Sequence, residues 1–404
     1  MSQKPFSSKP TYLSLFAGCG GFDLGFHKAG FTCLNAFDIN LSAVETYNQN
    51  IPSSKATIAD LNNWKNLNLK KRGADVVVAG PPCQGFSTIG KRLLDDPRNN
   101  LLLVPVETAI YVGAKVLIIE NVPGVLADPH SKFWFLAQAR LASKGFQSRT
   151  IFLDAGLTGL PQTRKRILLV AHKGKDPIPE WPTDLGNPRS PLETILSLKS
   201  SLPNHSPKLL IPGSKEARIA KYINPGQKLC NVRAGDSSVH TWDIAEVFGK
   251  VTRNEKMFLE TLMVIRRRDR KRDWGDADPI SSKILRKAMG NNWNKLAESL
   301  INKGYVRKLR GNLYDLSHTF NGKYRRLLPN KPTNCVLTRF CQSTYFLHPY
   351  EERGFTIREA ARLQGFPDNF IFSGSEKSQM EQVGNAVPPP MAYMVAKWVK
   401  RNLL

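Results

Sequence analysis

Over the first 172 residues, short apolar runs alternate with longer amphipathic stretches, a pattern that points to a parallel α/β sheet. Strands are expected at 12–16, 32–37, 75–79, 116–119, 148–153 and 167–171, with a further short one at 56–58. Helices are expected at 22–29, 41–50, 99–112 and 132–144. After Ala171 the texture changes, because Pro177, Pro179, Pro182, Pro188 and Pro191 interrupt any regular element and read as a linker. The stretch from there to about Leu327 is irregular and increasingly basic. Residues 251–330 carry 19 Lys or Arg against 8 Asp or Glu, most densely at 265–272. Within it, 255–266, 281–289 and 294–302 are expected as helices, followed by two short strands in 305–316 around Arg310-Gly311-Asn312. That order suits a winged-helix module whose third helix lies in a DNA groove, and it equally suits a small helical subdomain with no DNA role. From Leu328 the chain is globular again and closes on an amphipathic helix at 391–402.

Length and charge narrow the class. The 404 residues allow two or three domains, and 41% hydrophobic content supports a sizeable core. With 58 basic and 33 acidic residues the net charge is +25 and the pI near 9.9, which favours polyanionic partners. The basic residues are spread along the chain rather than gathered in one juxtamembrane or amphipathic tract, so nucleic acid is favoured over a membrane surface. Six cysteines are too few for a disulfide scaffold, and none forms a C-x-x-C pair, so spacing supports no metal site. The start, MSQKPFSSKP, lacks the apolar core of a signal peptide, and no apolar run approaches the ~20 residues of a membrane span. The expectation is a reduced, soluble, intracellular protein.

The first strand runs into Phe16-Ala17-Gly18-Cys19-Gly20-Gly21 and then a helix. Gly18, Gly20 and Gly21 permit a tight turn and close backbone approach at a helix N-terminus. Asp38 follows Gly18 by 20 residues, at the end of the second strand, where a carboxylate can accept hydrogen bonds from both ribose hydroxyls. Together they indicate a nucleoside-type cofactor, with Asp60 placed for a contact to adenine.

The strand ADVVVAG ends in Pro81-Pro82-Cys83-Gln84-Gly85. Open α/β sheets bind ligands at the carboxyl tips of their strands, so this position argues against the commoner role of a lone cysteine as a buried small hydrophobe. The strand VLII ends in Glu120-Asn121-Val122-Pro123-Gly124. A right-handed crossover sets Glu120 beside Cys83, making it a candidate general acid. Gln162-Thr163-Arg164-Lys165-Arg166 leads into another strand, so Arg164 and Arg166 point to one side.

In order along the chain, FAGCGG, GPPCQGFS, ENVPG, Gln162–Arg166, REAARLQGFPD and GNAVPPPMA resemble the motifs of the cytosine-5 DNA methyltransferases. These matches cover about the first 172 and last 75 residues. The resemblance implies a Rossmann-like S-adenosylmethionine-dependent methyltransferase sheet in a catalytic domain of 1–172 and 328–404. It implies a smaller, mixed target-recognition domain at 173–327, across a DNA-binding cleft. It implies S-adenosyl-L-methionine held by Phe16, Ala17, Gly18, Gly20, Gly21, Asp38, Ile39, Asp60, Leu61 and Pro82, with Asn385, Ala386 and Val387 returning from the far C-terminus. It implies catalysis by Cys83, Glu120, Arg164 and Arg166, with the two arginines orienting the base and the Cys loop. One departure is Asp38, where the family usually has Glu; the shorter arm weakens ribose contact but keeps the carboxylate.

Chemistry gives these groups a rationale. Cytosine carbon 5 is a poor nucleophile until a thiolate adds to carbon 6 and makes it enamine-like. A protonated Glu120 on ring nitrogen 3 neutralises the charge that builds on the base. The cytosine must first leave the duplex stack. Competing expectations are a tRNA cytosine-5 methyltransferase, a catalytically silent DNA-binding regulator and a nicotinamide dehydrogenase. The basic stretch 173–327 favours DNA over tRNA. The intact Cys83, Glu120 and glycine turn argue against the silent regulator, and the Pro-Pro-Cys loop argues against the dehydrogenase. The partner is then double-stranded DNA, read by Arg and Asn side chains between Arg233 and Arg326. The compact layout suggests a monomeric prokaryotic or viral enzyme working with no membrane, in the cytoplasm at the nucleoid, with a cognate restriction endonuclease as functional partner.

Overall fold

The computed structural model describes residues 9–71, 73–82, 97–182, 190–233, 235–271 and 277–404. Contacts divide the chain into two compact units: one of Met1–Ser206, Asn330–Arg339 and Ile357–Leu404, the other of Pro207–Pro329 and Phe340–Thr356. The division falls at 206/207 rather than at 172/173, because the proline-rich segment lies back on the first unit. The Ser190 hydroxyl donates to Gly159 O, Leu192 N to Lys331 O, and Arg362 Nη1 to the carbonyls of Ile195 and Ser197.

The first unit is built on a seven-stranded sheet. In chain order its elements are β1 (Thr11–Leu15), α1 (Gly21–Lys28), β2 (Thr32–Asp38), α2 (Leu41–Asn50), β3 (Ala56–Ile58) and β4 (Val76–Ala79). They continue with α3 (Val104–Val112), β5 (Val116–Asn121), α4 (Ser131–Ala142), β6 (Gln147–Asp154), β7 (Gln162–Thr163) and β8 (Lys165–His172). The spatial order is β3-β2-β1-β4-β5-β8-β6. Strands β4 and β5 are apolar at nearly every position because both faces are covered. Val76, Val78, Val116, Ile118, Leu168 and Val170 point into one core, under α1, α2 and the C-terminal helix Pro389–Asn402. Their neighbours Val77, Ala79, Leu117, Ile119, Ile167 and Leu169 point into the other, under α3 and α4. The period-2 alternation of a strand thus fills two cores from one sheet.

Two local expectations are corrected. The helix expected at 99–112 begins at Val104, preceded by a 3-10 turn, because Pro105 lacks an N–H and fits only the first helical turn. The sheet is not wholly parallel: β8 runs antiparallel to both β5 and β6. Only ten residues, 155–164, join β6 to β8, too few for a crossover, so the chain doubles back.

Among the described residues of the second unit two cores stand out. One gathers Ile219, Ala220, Leu229, Ile244, Tyr324 and Leu347. The Arg326 guanidinium braces it, donating to Ala220 O, Ile223 O and His348 O. The other lies among three helices, Arg253–Arg268, Ser282–Met289 and Trp293–Lys303, and a three-stranded antiparallel sheet. In that sheet Leu313–Leu316 lies between Ile280–Ser281 and Val306–Leu309. Thr252 and Glu255 form a reciprocal capping box at the start of the first of these helices.

Candidate active site

Strand order reverses direction between β1 and β4: from β1 the chain steps outward through β2 to β3, and from β4 to β5 on the other side. A crevice opens at the carboxyl ends beside such a point. The register aligns Leu15 with Phe37 and Ala79, and Ala79 with Ile119. The next residue on each strand therefore makes a row of Asp38, Phe16, Gly80 and Glu120, about 14 Å from end to end at ~4.8 Å per strand. Gly80 continues through the buried Pro81 to Pro82. Cys83 follows, and it lies outside the described residues.

At one end of the row, Asp38 faces the glycine turn. Its Oδ2 accepts from Gly18 N at 2.8 Å and its Oδ1 from Asn40 N at 2.9 Å. Burial pushes the Asp38 carboxyl above its ordinary range, and these N–H donors oppose the shift. The three glycines differ in purpose. Gly18 has φ +55° and a Cβ built there meets nothing within 4 Å, so it presents bare backbone to open space. Gly20 and Gly21 are demanded by packing: a Cβ on Gly20 would lie 2.5 Å from Ile51 Cδ1, and one on Gly21 2.3 Å from Val387 O. Ala17 N donates to Phe37 O, and Phe16 itself has φ +56°. Ile39, next to the carboxylate, is 68% exposed and offers an apolar surface to a flat ring. Ala59 N donates to Asp38 O, which brings Asp60 alongside. Asp60 is exposed and caps the turn Leu61–Asn66 through Asn62 N, while the Leu61 side chain is buried in the core. Behind the turn, Asp23 is fully enclosed and accepts from the hydroxyls of Tyr12, Ser14 and Tyr47. Its burial outweighs these donors and pushes it up to about 6.

At the other end, Glu120 pairs with Arg166, Nε to Oε1 2.8 Å, and both side chains are largely buried. The reversal of β8 makes this contact: an antiparallel strand brings its beginning, where Arg166 sits, to the carboxyl ends of its neighbours. Arg164 sits one layer deeper and is 1% exposed. It donates to the carbonyls of Val336 (2.9 Å), Gly384 (3.1 Å) and Ala386 (2.9 Å) and to Cys335 Sγ. Burial, then repulsion from Arg166, lowers its proton affinity.

Sequence reasoning did not single out the rest of this lock. Gln162 Nε2 donates to Leu363 O and to Gln364 Oε1, while its Oε1 accepts from Val336 N. Gln364 Nε2 in turn donates to Val383 O. The available signal was a glutamine set amid apolar residues of the helix Ile357–Leu363 and its end. The lock returns Ala386 and Val387 to the glycine turn, with Asn385 exposed at the end of the helix Glu376–Asn385. Arg164→Ala would leave three buried carbonyls without their charged donor and is expected to cost about 3 kcal/mol. Urea unfolding checks this, and an unchanged midpoint would show that the cage is not structural.

Of the five described cysteines, Cys19, Cys33 and Cys230 are buried, and burial pushes the thiols of Cys19 and Cys33 up to about 12. Neither has the thiolate character of a nucleophile.

Comparisons with known proteins agree along almost the whole length. The sequence profile described as C-5 cytosine-specific DNA methylase matches residues 11–401. The type II methyltransferase M1.HphI of Haemophilus parahaemolyticus is 30% identical, over 96% of this chain and 86% of that one. The type II methyltransferase M.DdeI of Desulfomicrobium norvegicum is 29% identical, over 97% and 89%. Among solved structures, a putative DNA modification methyltransferase encoded within a prophage of E. coli superposes with a TM-score of 0.53. It is 22% identical, over 98% of this chain and 99% of that one, a likeness of fold.

Proposed function

The chain belongs to the C-5 cytosine-specific DNA methylase family, and from that premise we propose that it modifies cytosine in a specific double-stranded DNA sequence through a covalent bond from Cys83 to carbon 6. Its reaction is methyl transfer to carbon 5 of cytosine in DNA, and its cofactor is S-adenosyl-L-methionine. The first unit fits that cofactor. Gly18 opens bare backbone to the site, Asp38 is a carboxylate for ribose hydroxyls, and Ile39 is exposed apolar surface for adenine. Phe16, Asp60, Pro82, Asn385 and Val387 complete the set by resemblance. When bound, S-adenosylmethionine supplies an electron-poor methyl on a sulfonium, which the activated carbon 5 accepts.

The chain's own residues do the rest. The second unit serves as the target-recognition domain, and its basic side chains offset the few kcal/mol needed to turn the cytosine out of the stack. The Cys83 thiolate adds to carbon 6. Glu120 faces ring nitrogen 3 and donates the proton that neutralises the base, with its carboxyl oriented by Arg166. Water takes the carbon 5 proton, the carbon 5–carbon 6 double bond re-forms and the carbon 6–sulfur bond breaks, releasing the Cys83 thiolate. Ring nitrogen 3 returns its proton to Glu120. Arg164 acts from beneath, holding the segment at 384–387 against the glycine turn.

The observation that carries this reading is the row itself. Asp38 and the Glu120–Arg166 pair stand at opposite ends of one line of strand tips, with the strand leading to Cys83 between them. The relatives named as type II methyltransferases support the role of modification enzyme, and we infer that it works as a monomer at the nucleoid beside a cognate restriction endonuclease. No helix among the described residues is long and apolar enough to cross a membrane. Bisulfite sequencing of DNA from cells expressing the chain tests the proposal: protected cytosines in one short sequence are expected, and complete conversion would refute it.

A further inference from the structure

The module at 253–316 in the second unit has a shape and a surface that the methyl-transfer chemistry does not account for. Its order is helix, strand, helix, turn, helix and hairpin. Its second and third helices are joined by three residues, Gly290-Asn291-Asn292, with Gly290 at φ +73°. The third helix, Trp293–Lys303, is fixed from behind. Trp293, Ala297 and Leu300 enter the core, and Glu255 accepts from Lys303 Nζ (2.7 Å) and the Ser299 hydroxyl (2.6 Å). The hairpin is fixed as well, through the buried pair Arg266–Asp315.

What remains outward on the third helix is Asn294, Lys295, Glu298 and Asn302. All four are exposed. Asparagine is a poor helix former, so two on one exposed face serve stability less well than Ala, Glu or Lys would. They do carry the groups that read base edges: an amide for adenine, an ammonium for guanine and a carboxylate for the cytosine amine. Cationic side chains flank that face on both sides in the sequence. Lys283, Arg286 and Lys287 are exposed on the second helix, and Arg310 is exposed at the hairpin tip. From Ser282 to Asn312 there are eight basic residues and one acidic, a balance that only a polyanion complements.

We propose that this module is a winged-helix reader. Its third helix lies in the major groove of the substrate duplex and selects bases flanking the target cytosine through Asn294, Lys295 and Glu298. The second helix and hairpin tip grip phosphates on either side. The proposal rests on the reading of the chain as DNA-directed and adds the surface that sets its sequence choice.

The test uses the full chain and two variants, Asn294→Ala/Glu298→Ala and Arg310→Ala, with Glu260→Ala on the first helix as control. Bisulfite sequencing gives the sequences each one methylates. Selection of bound duplexes from a random pool gives the same preference without catalysis. Removing Glu298 makes the face more positive, so a purely electrostatic role would strengthen binding to every duplex. The expected result is instead a loss of about ten- to a hundredfold in discrimination at the base positions read, with the melting temperature unchanged. Arg310→Ala is expected to weaken binding to all sequences equally and to lower the salt slope by about 0.9. Wild-type sequence choice and salt slope in both variants would overturn the proposal. Selective binding without any methyl transfer would count against the catalytic reading alone and would support this one.

Discussion

Cys83→Ser is expected to reduce methyl transfer by at least ~10^4-fold, the scale on which loss of a covalent nucleophile lowers turnover in other enzymes. The chemistry demands so large an effect. Carbon 5 acquires nucleophilic character only after carbon 6 has been attacked, and a serine hydroxyl is both far less ionised than a thiol and a poorer leaving group. Duplex binding and S-adenosylmethionine binding are expected to survive, because neither needs the sulfur. Transfer of labelled methyl and trapping on a duplex carrying a mechanism-based cytosine analogue measure the two halves of the claim. Wild-type protein that formed no covalent adduct, or a serine variant that turned over normally, would remove Cys83 from the mechanism.

Glu120→Gln is expected to slow transfer by ~100-fold or more, chiefly in kcat, because the proton it supplies is needed only as charge builds on the base. Glutamine preserves size and can still donate an N–H to nitrogen 3, so the substitution removes the mobile proton while keeping a donor. It also ends the ion pair with Arg166, Nε to Oε1 2.8 Å. Calorimetric titration with S-adenosylmethionine separates the effects, since Asp38 and the glycine turn lie at the far end of the row of strand tips. A loss below about threefold would mean that the carboxyl does not donate the critical proton.

Strands β1, β4, β5 and β8 were legible in the sequence because burial on both faces writes itself as an apolar run, whereas β2 and β6, with Leu34 and Phe152 exposed, showed only short ones. The pairing of Asp38 with the glycine turn was legible from the strand–turn–helix–strand pattern, and the Asp38 carboxylate accepts from Gly18 N. The direction of β8 was not, because local pattern carries no sense of direction. The one available cue was the length of 155–164. The partners of Arg164 were invisible, lying 171 to 222 residues further along. The motif around it announces a positive charge near the site but not which of its two arginines faces Glu120. In the second unit the capping box Thr252–Glu255 starts the first helix at Arg253, ahead of the expected 255, and the ties from Glu255 to Lys303 and from Arg266 to Asp315 depend on the folded arrangement.

The Arg164 cage also bears on how the protein comes into being. Its guanidinium is synthesised 220 residues before the Gly384 carbonyl that receives it. At ~5–20 residues per second the ribosome leaves this cation without its partners for tens of seconds. The strands of the sheet, all made by residue 172, therefore wait for the segment at 384–387 before this cation is enclosed and the glycine turn is backed.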